Sequence, residues 1–485
     1  MKKIKILITL ILVSIITVPS LVFAEPPAKP PGDSDSSFGG SSSNISYTGA
    51  TTFSSATNEN NKTYTSTIGS QNALLVSGGT STINSCYITK SGDSSTDDAD
   101  FYGINAAILT YNGATLNIKG GSVTTNGVHA NAVFAYGTGI INISDAVIKT
   151  TNNNSGALMV TGGGVLTANN VTAETDGNSS APIRSDRGGG TLTVNKGTYT
   201  SNGTGSPVIY STADIIVNNA TLKSTASEGV VVEGKNSVTL NGVNMEATNT
   251  KLNGNSETYK SIFIYQSMSG DAGVGESTFN SKDSKITNNK GDVIFVTNTN
   301  TVITLENNQI INNDSTGAFL KATTAKWGTT GSNGGNVTLN MINQKANGDI
   351  IIDSISTLAL TMKNKSVLVG SIDSDNQAKQ VSLSLSSDSI LSLTADTYLD
   401  TLENEVSDNS NIYSNGKYKL YVDGKEVSIN PETYDLSSNT KEATTVTNNN
   451  SKTNSNMIYY IVGGVIIILL VVCGTVIVIK RKKQN

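Results

Sequence analysis

The sequence predicts an all-β fold, a right-handed single-stranded parallel β-helix, and three observations predict it. The segments TLNI ending at Ile118, IINI at Ile143, VLTA at Ala168, TLTV at Val194, DIIV at Val217 and SVTL at Leu240 recur after 25, 25, 26, 23 and 23 residues. Each repeat holds three short segments in which apolar and polar residues broadly alternate, the period of a half-buried strand. Gly and Asn separate these segments, where the chain has to turn. A single coil of this kind cannot bury its own apolar face, so coils must stack, about 4.8 Å apart, to enclose a core. Some fifteen coils make a rod about 70 Å long at that spacing.

Residues 1–24, MKKIKILITLILVSIITVPSLVFA, start with lysines, run apolar and end with Val22 and Ala24 at the spacing of a cleavage site. That is the pattern of a secretory signal peptide. Residues 25–45 are rich in Pro, then Gly and Ser, and read as a disordered leader. The β-helix takes 46–430. Residues 431–456 are polar without an apolar period and read as a flexible stalk. Residues 457–479, MIYYIVGGVIIILLVVCGTVIVI, carry no charge, which suits a transmembrane helix. The basic tail, 480–485, places that end in the cytoplasm. This layout predicts a single-pass protein of the cell membrane with its large N-terminal part outside.

Cys86 and Cys473 are the two cysteines, and the second lies in the span, so no disulfide framework is expected. Apart from the seven basic residues of the signal and tail, 26 Lys and Arg face 38 Asp and Glu, a balance near −12. A nucleic-acid partner needs a basic surface, and this composition excludes one.

The first strand of each coil, the TLNI-type segment, supplies two inward columns: Leu116, Ile141, Leu166, Leu192, Ile215, Val238, and Ile118, Ile143, Ala168, Val194, Val217, Leu240. For the third strand the alternation predicts Ala107, Val133, Leu158, Ile183, Val208, Val230 inward, with Leu109, Ala135, Val160, Ser185, Tyr210, Val232 beside them. Two outward rows result: Ile108, Phe134, Met159, Arg184, Ile209, Val231, and Thr110, Tyr136, Thr161, Asp186, Ser211, Glu233. A mostly apolar outward row implies a cover. Either a ligand or partner supplies it, or the chain's own loops do, Ser91 to Gly103 and Thr248 to Lys260 being long enough.

The runs TKSGDSS, FYGINAAILT, IRSDRGGGT, IYSTADI, EGKNSVTLN, IYQSMSGDA and WGTTGSNGG resemble a family of cell-surface right-handed β-helix proteins from anaerobic, low-GC Gram-positive bacteria. The resemblance covers about Ser46 to Gly424. It implies a fold similar to that of pectate lyases and a role that is adhesin-like or carbohydrate-binding-like.

Two of the chain's three arginines, Arg184 and Arg187, fall in IRSDRGGGT. One reading makes this a catalytic or ligand-binding face: Arg184, Asp186 and Glu233 are the catalytic candidates, with Asp186 and Glu233 two coils apart, about 9.6 Å at the strand spacing. That separation suits an inverting glycosidase, and a lyase acting on polyuronates is the other enzymatic option. The opposing reading is structural, an ion pair with the guanidinium on loop carbonyls and GGG as a tight turn. Tyr136, Tyr265 and the sole tryptophan, Trp327, are candidates to stack on a sugar ring, with Trp327 equally suited to packing on the rod. Arg184, Asp186, Arg187 and Glu233 complete the ligand-binding candidates. Asp93, Asp97, Asp98 and Asp100 form an oxygen-rich loop that suits Ca²⁺, although it lacks EF-hand spacing and also fits a solvated acidic loop. No other cofactor is expected, and the single His129 is read as a turn residue. The expected function is adhesin-like binding of a glycan or another surface ligand, and the alternative is a polysaccharide lyase or glycoside hydrolase.

Overall fold

In a computed structural model the described residues are 45–434. The expected signal peptide, membrane span and basic tail lie outside them, as do the leader apart from Ile45 and the stalk apart from residues 431–434. Among the described residues no helix is long and apolar enough to cross a membrane.

The alternation works as the pleat dictates. In Thr115–Lys119 the two buried side chains are Leu116 and Ile118, and the same pattern places Ile141 and Ile143 inward in Ile140–Ser144. Parallel pairing carries these positions from coil to coil: Leu116 stands under Ile141, then Leu166, Leu192, Ile215 and Val238. The result is a parallel β-solenoid of about 15 turns. One face is a 12-stranded parallel sheet running from Gly49–Phe53 to Ile350–Ile352. A 22-stranded sheet wraps the other faces, a four-stranded sheet continues over the last coils, and an antiparallel hairpin, Leu420–Val422 with Lys425–Val427, closes the C-terminal end.

Polar side chains at the corners are stacked in the same way. The Ala130, Ser155 and Ser180 backbone N–H groups donate to the hydroxyls of Ser155, Ser180 and Ser206, one coil further on, at 3.0, 2.9 and 2.8 Å. Asn169, Asn195, Asn218 and Asn241 pass amide hydrogen bonds along a second ladder. Both ladders satisfy groups that turns would otherwise leave unpaired.

On the 12-stranded sheet the inward column is Leu74, Ile108, Val133, Leu158, Ile183, Ile209, Val230, Ile262 and Ile294. This corrects the expected register in two coils. Ile108 and Ile209 point inward, and Leu109 and Tyr210 point outward, in line with Phe134, Met159 and Arg184. Thr110 and Ser211, expected outward, align with the inward Ala135 and Val232. Runs such as AAIL and PVIY have no polar residue to set their phase, so a strand that starts one residue later reverses every side chain.

The outward apolar row is covered by the chain itself. Leu75, Leu109, Phe134 and Met159 form one buried cluster with Tyr47, Tyr111 and Tyr136 packed on it. Val231, Phe263, Tyr265 and Phe295 form a second, with Tyr210 and Trp327 packed against it. Part of the Ser91 to Gly103 loop coils into a short helix, α1 (Asp98–Tyr102), ended by Gly103 at φ 73. A Cβ on Gly103 would lie 2.9 Å from Leu109 and from the Phe134 ring, so only glycine lets the segment settle on this sheet.

Candidate functional site

Between the two apolar clusters the outward row turns polar at one coil. The outward column reads Met159, Arg184, Tyr210, Val231 across four strands. Arg184 therefore takes the place that an apolar side chain fills on either side. Above it lies a cleft of about 400 Å³ lined by Asp97, Asp100, Phe101, Asn154, Arg184, Asp186, Tyr210, Asn253, Tyr265 and Asp271, among others. Its roof and rim come from α1, from the Thr248 to Lys260 loop through Asn253, and from the Asp271 loop; its floor is the sheet.

Arg184 is tied down from three directions. One guanidinium nitrogen is 2.9 Å from Asp186 Oδ2, another donates to the Ser179 carbonyl at 3.2 Å and lies 3.6 Å from Asp100 Oδ1. Burial by itself would lower the Arg184 pKa, but Asp100 and Asp186 more than offset this and hold the group protonated. Asp186 also accepts from the Arg187 backbone N–H at 3.0 Å. Burial pushes its carboxyl up to about 6, with Asp271 and Asp100 adding to the rise and Arg184 opposing it.

Arg187 stands outside this buried set. Its Nε and one terminal nitrogen reach Asp271 Oδ1 at 2.9 and 2.7 Å, and its guanidinium stacks 3.9 Å above the Phe101 ring. It joins α1 to the Asp271 loop across the sheet. The glycines after it, Gly188 to Gly190, have φ of 83, 63 and 150, and in the preceding coil Gly162 and Gly163 also lie at positive φ. The triple glycine is the turn of the repeat.

Glu233 is fully buried behind the cleft wall. Its Oε1 accepts from the Ser267 hydroxyl, while Oε2 accepts from Tyr210 and, at 2.9 Å, from Tyr265. Burial raises its pKa, with the three hydroxyls pulling the other way. Both oxygens are committed, so Glu233 positions the two tyrosines that face the cleft. It pairs in register with Tyr265, whereas Asp186 follows a strand that ends at Ser185.

Trp327 packs on Phe263 and Tyr265 with ring centroids 5.1 and 5.2 Å apart. It buttresses the second cluster from the Gly-rich insertion. Tyr136 lies with Tyr102 and Tyr47 in the first cluster and does not line the cleft.

The four loop aspartates are dispersed. Asp93 accepts the Val128 N–H at 2.7 Å, Asp97 and Asp100 line the cleft, and among the described residues no group of three or more His, Cys, Asp or Glu is placed to hold a metal ion. Asp100 meets His129 instead: Nδ1 lies 2.7 Å from Asp100 Oδ2, and the Asn154 amide nitrogen lies 3.1 Å from Nε2. The Asp100 hydrogen bond raises the His129 pKa, although burial and Arg184 oppose it. Asn131 completes the set, donating to Asp100 at 3.0 Å.

Sequence reasoning brought Arg184, Asp186, Arg187, Tyr265 and Glu233 to one region and missed Asp100's bond to His129, and Asn154, Tyr210, Phe101 and Asp271. Tyr210 was hidden by the register error. His129 and Asn154 are 25 residues apart, one coil, so stacking the turn residues of successive coils is the signal that finds them. No known family, curated protein or solved structure matches the chain.

Proposed function

We propose that this chain is a surface β-helix that binds a glycan in the cleft above Arg184. The observation that carries this reading is the lining itself: the rings of Phe101, Tyr210 and Tyr265 share one concavity of about 400 Å³ with the polar groups of Asp97, Asn154, Asn253 and Asp271. A sugar offers both faces to such a site, C–H groups for the rings and hydroxyls for carboxylates and amides. The volume suits one or two sugar rings within the usual range of about 300–1,000 Å³ for ligand sites. Strands hold Tyr210 and Tyr265 in place, which limits the entropy lost on association, while Phe101 comes from α1 and Asp97, Asn154, Asn253 and Asp271 from turns and loops. An adhesin-like role at the cell membrane, anchored by residues 457–479, accords with this.

A second reading, glycoside hydrolysis, is favoured by Asp186 alone. A carboxyl raised to about 6 in a cleft can donate a proton to a leaving oxygen near neutral pH. Glu233, the expected second carboxylate, is occupied by three hydroxyls, so binding without turnover fits the geometry better.

Titration of the full chain with a panel of short oligosaccharides tests the proposal. Saturable binding is expected, weakened at least tenfold by Tyr265→Ala; in Tyr265→Phe, which keeps the ring, the loss is smaller. Absence of saturable binding to every oligosaccharide overturns it. Release of reducing ends by the parent, abolished in Asp186→Asn, would establish the hydrolytic reading instead.

A further inference from the structure

Resting on the glycan-binding reading, we propose that the cleft selects a sugar bearing a free amino group, an ammonium at neutral pH, over its N-acetylated and uronic acid counterparts. The charged side chains that line the cavity are Asp97, Asp100, Asp186, Asp271 and Arg184; Arg187 adjoins it, and His129, whose pKa Asp100 raises, stands behind Asp100. Four carboxylates thus face two guanidiniums, and Glu233 lies behind the wall as a further acid. Low-dielectric walls concentrate that excess inside the cleft instead of letting water screen it.

The acids are not equally engaged. Asp100 is held by His129, Asn131 and Arg184, and Asp186 by Arg184 and the Arg187 N–H. Asp271 accepts both Arg187 contacts on Oδ1. Asp97 is exposed at the start of α1 and makes no side-chain capping hydrogen bond. The uncommitted carboxylate oxygens are therefore those of Asp97 and Asp271 Oδ2, both at the cleft. A uronate would bring a like charge to them. An N-acetyl group brings a neutral amide and an added methyl, and gives up the charge-assisted hydrogen bond that an ammonium makes to a carboxylate. Phe101 and Tyr265 offer ring surface at the cleft, although the Arg187 guanidinium already covers one face of Phe101 and Phe263 one face of Tyr265.

The test is calorimetric titration of the full chain with three oligosaccharides of equal length: a glucosamine oligomer, its fully N-acetylated form and a galacturonate oligomer. The glucosamine oligomer is expected to bind at least tenfold more tightly than either other sugar, with the preference shrinking at 0.5 M salt. Asp97→Asn, at an exposed side chain whose replacement does not threaten folding, and Asp271→Asn are each expected to narrow the ratio severalfold. Equal or tighter binding of the N-acetylated or uronate oligomer overturns the charge selection and leaves the glycan reading standing. An unchanged ratio in both variants overturns the assignment to these two carboxylates. No binding of these or any other oligosaccharide overturns both readings.

Discussion

Asp100 and Arg184 lie 3.6 Å apart, one on the short helix α1 and the other on the sheet beneath it. Their contact fastens the roof of the cleft to its floor. Arg184 is 10% exposed and Asp100 8%, so removing the cation strands two nearly buried acids. Breaking a buried pair in this way costs about 3–5 kcal/mol. Arg184→Met should lose stability in that range in urea unfolding. Arg184→Met with Asp186→Leu should recover part of it, because Asp100 still has His129 and Asn131. A double variant less stable than the single would show that the pair does not act through desolvated charge.

The same region makes stability depend on pH. Asp186 titrates at about 6 in the folded chain against an ordinary 3.8, so between those values the folded state holds a proton that the unfolded chain has lost. His129, raised above 6.5 through Asp100, contributes stability that is full below 6.5 and is lost as pH rises through its folded value. Both terms have the same sign: each makes the fold less stable as pH rises. Thermal unfolding of Asp186→Asn should be flatter than the parent between pH 4 and 6, and that of His129→Asn flatter from 6.5 upward. Curves that run parallel to the parent's would refute both assignments.

The core of the rod was legible and the cleft was legible only in part, for two physical reasons. Leu116, Ile118 and their counterparts mostly alternate with polar residues, Ile140, Val165 and Ile216 being outward exceptions, so their phase can be read from the sequence. Ile108 and Leu109 sit in an apolar run covered on both sides, where alternation carries no phase, and the same holds for Ile209 and Tyr210. The partners of Glu233 and Arg187 were illegible for another reason. Ser267 and Asp271 belong to a loop that breaks the repeat, and no periodicity says where a loop returns.

Gly103 sets how closely α1 can approach the sheet. At φ 73, and with a would-be Cβ 2.9 Å from Leu109 and Phe134, Gly103→Ala meets both backbone strain and a clash. Replacing glycine at such a position costs more than about 1 kcal/mol. Proteolysis should then cut the segment around residues 91–103 faster than in the parent, while far-UV circular dichroism stays that of the intact solenoid. Unchanged cleavage would mean that α1 is not held through this contact.

Trp327 is the sole tryptophan of the chain and packs on Phe263 and Tyr265, the latter a lining residue of the cleft. Its fluorescence is therefore a reporter placed one ring behind the proposed ligand. Phe263 itself is stacked between Tyr265 and Phe295 at 4.3 and 5.7 Å and is almost fully buried, so Phe263→Ala opens a cavity under the indole. A loss of about 3–5 kcal/mol is the usual cost of such a truncation. Water entering beside Trp327 should move its emission to longer wavelength in the folded variant, and a saturating oligosaccharide should change the emission of the parent. If Phe263→Ala leaves the emission of the folded protein unmoved, Trp327 does not close the second cluster, and any change seen on adding sugar has to come from elsewhere than Tyr265.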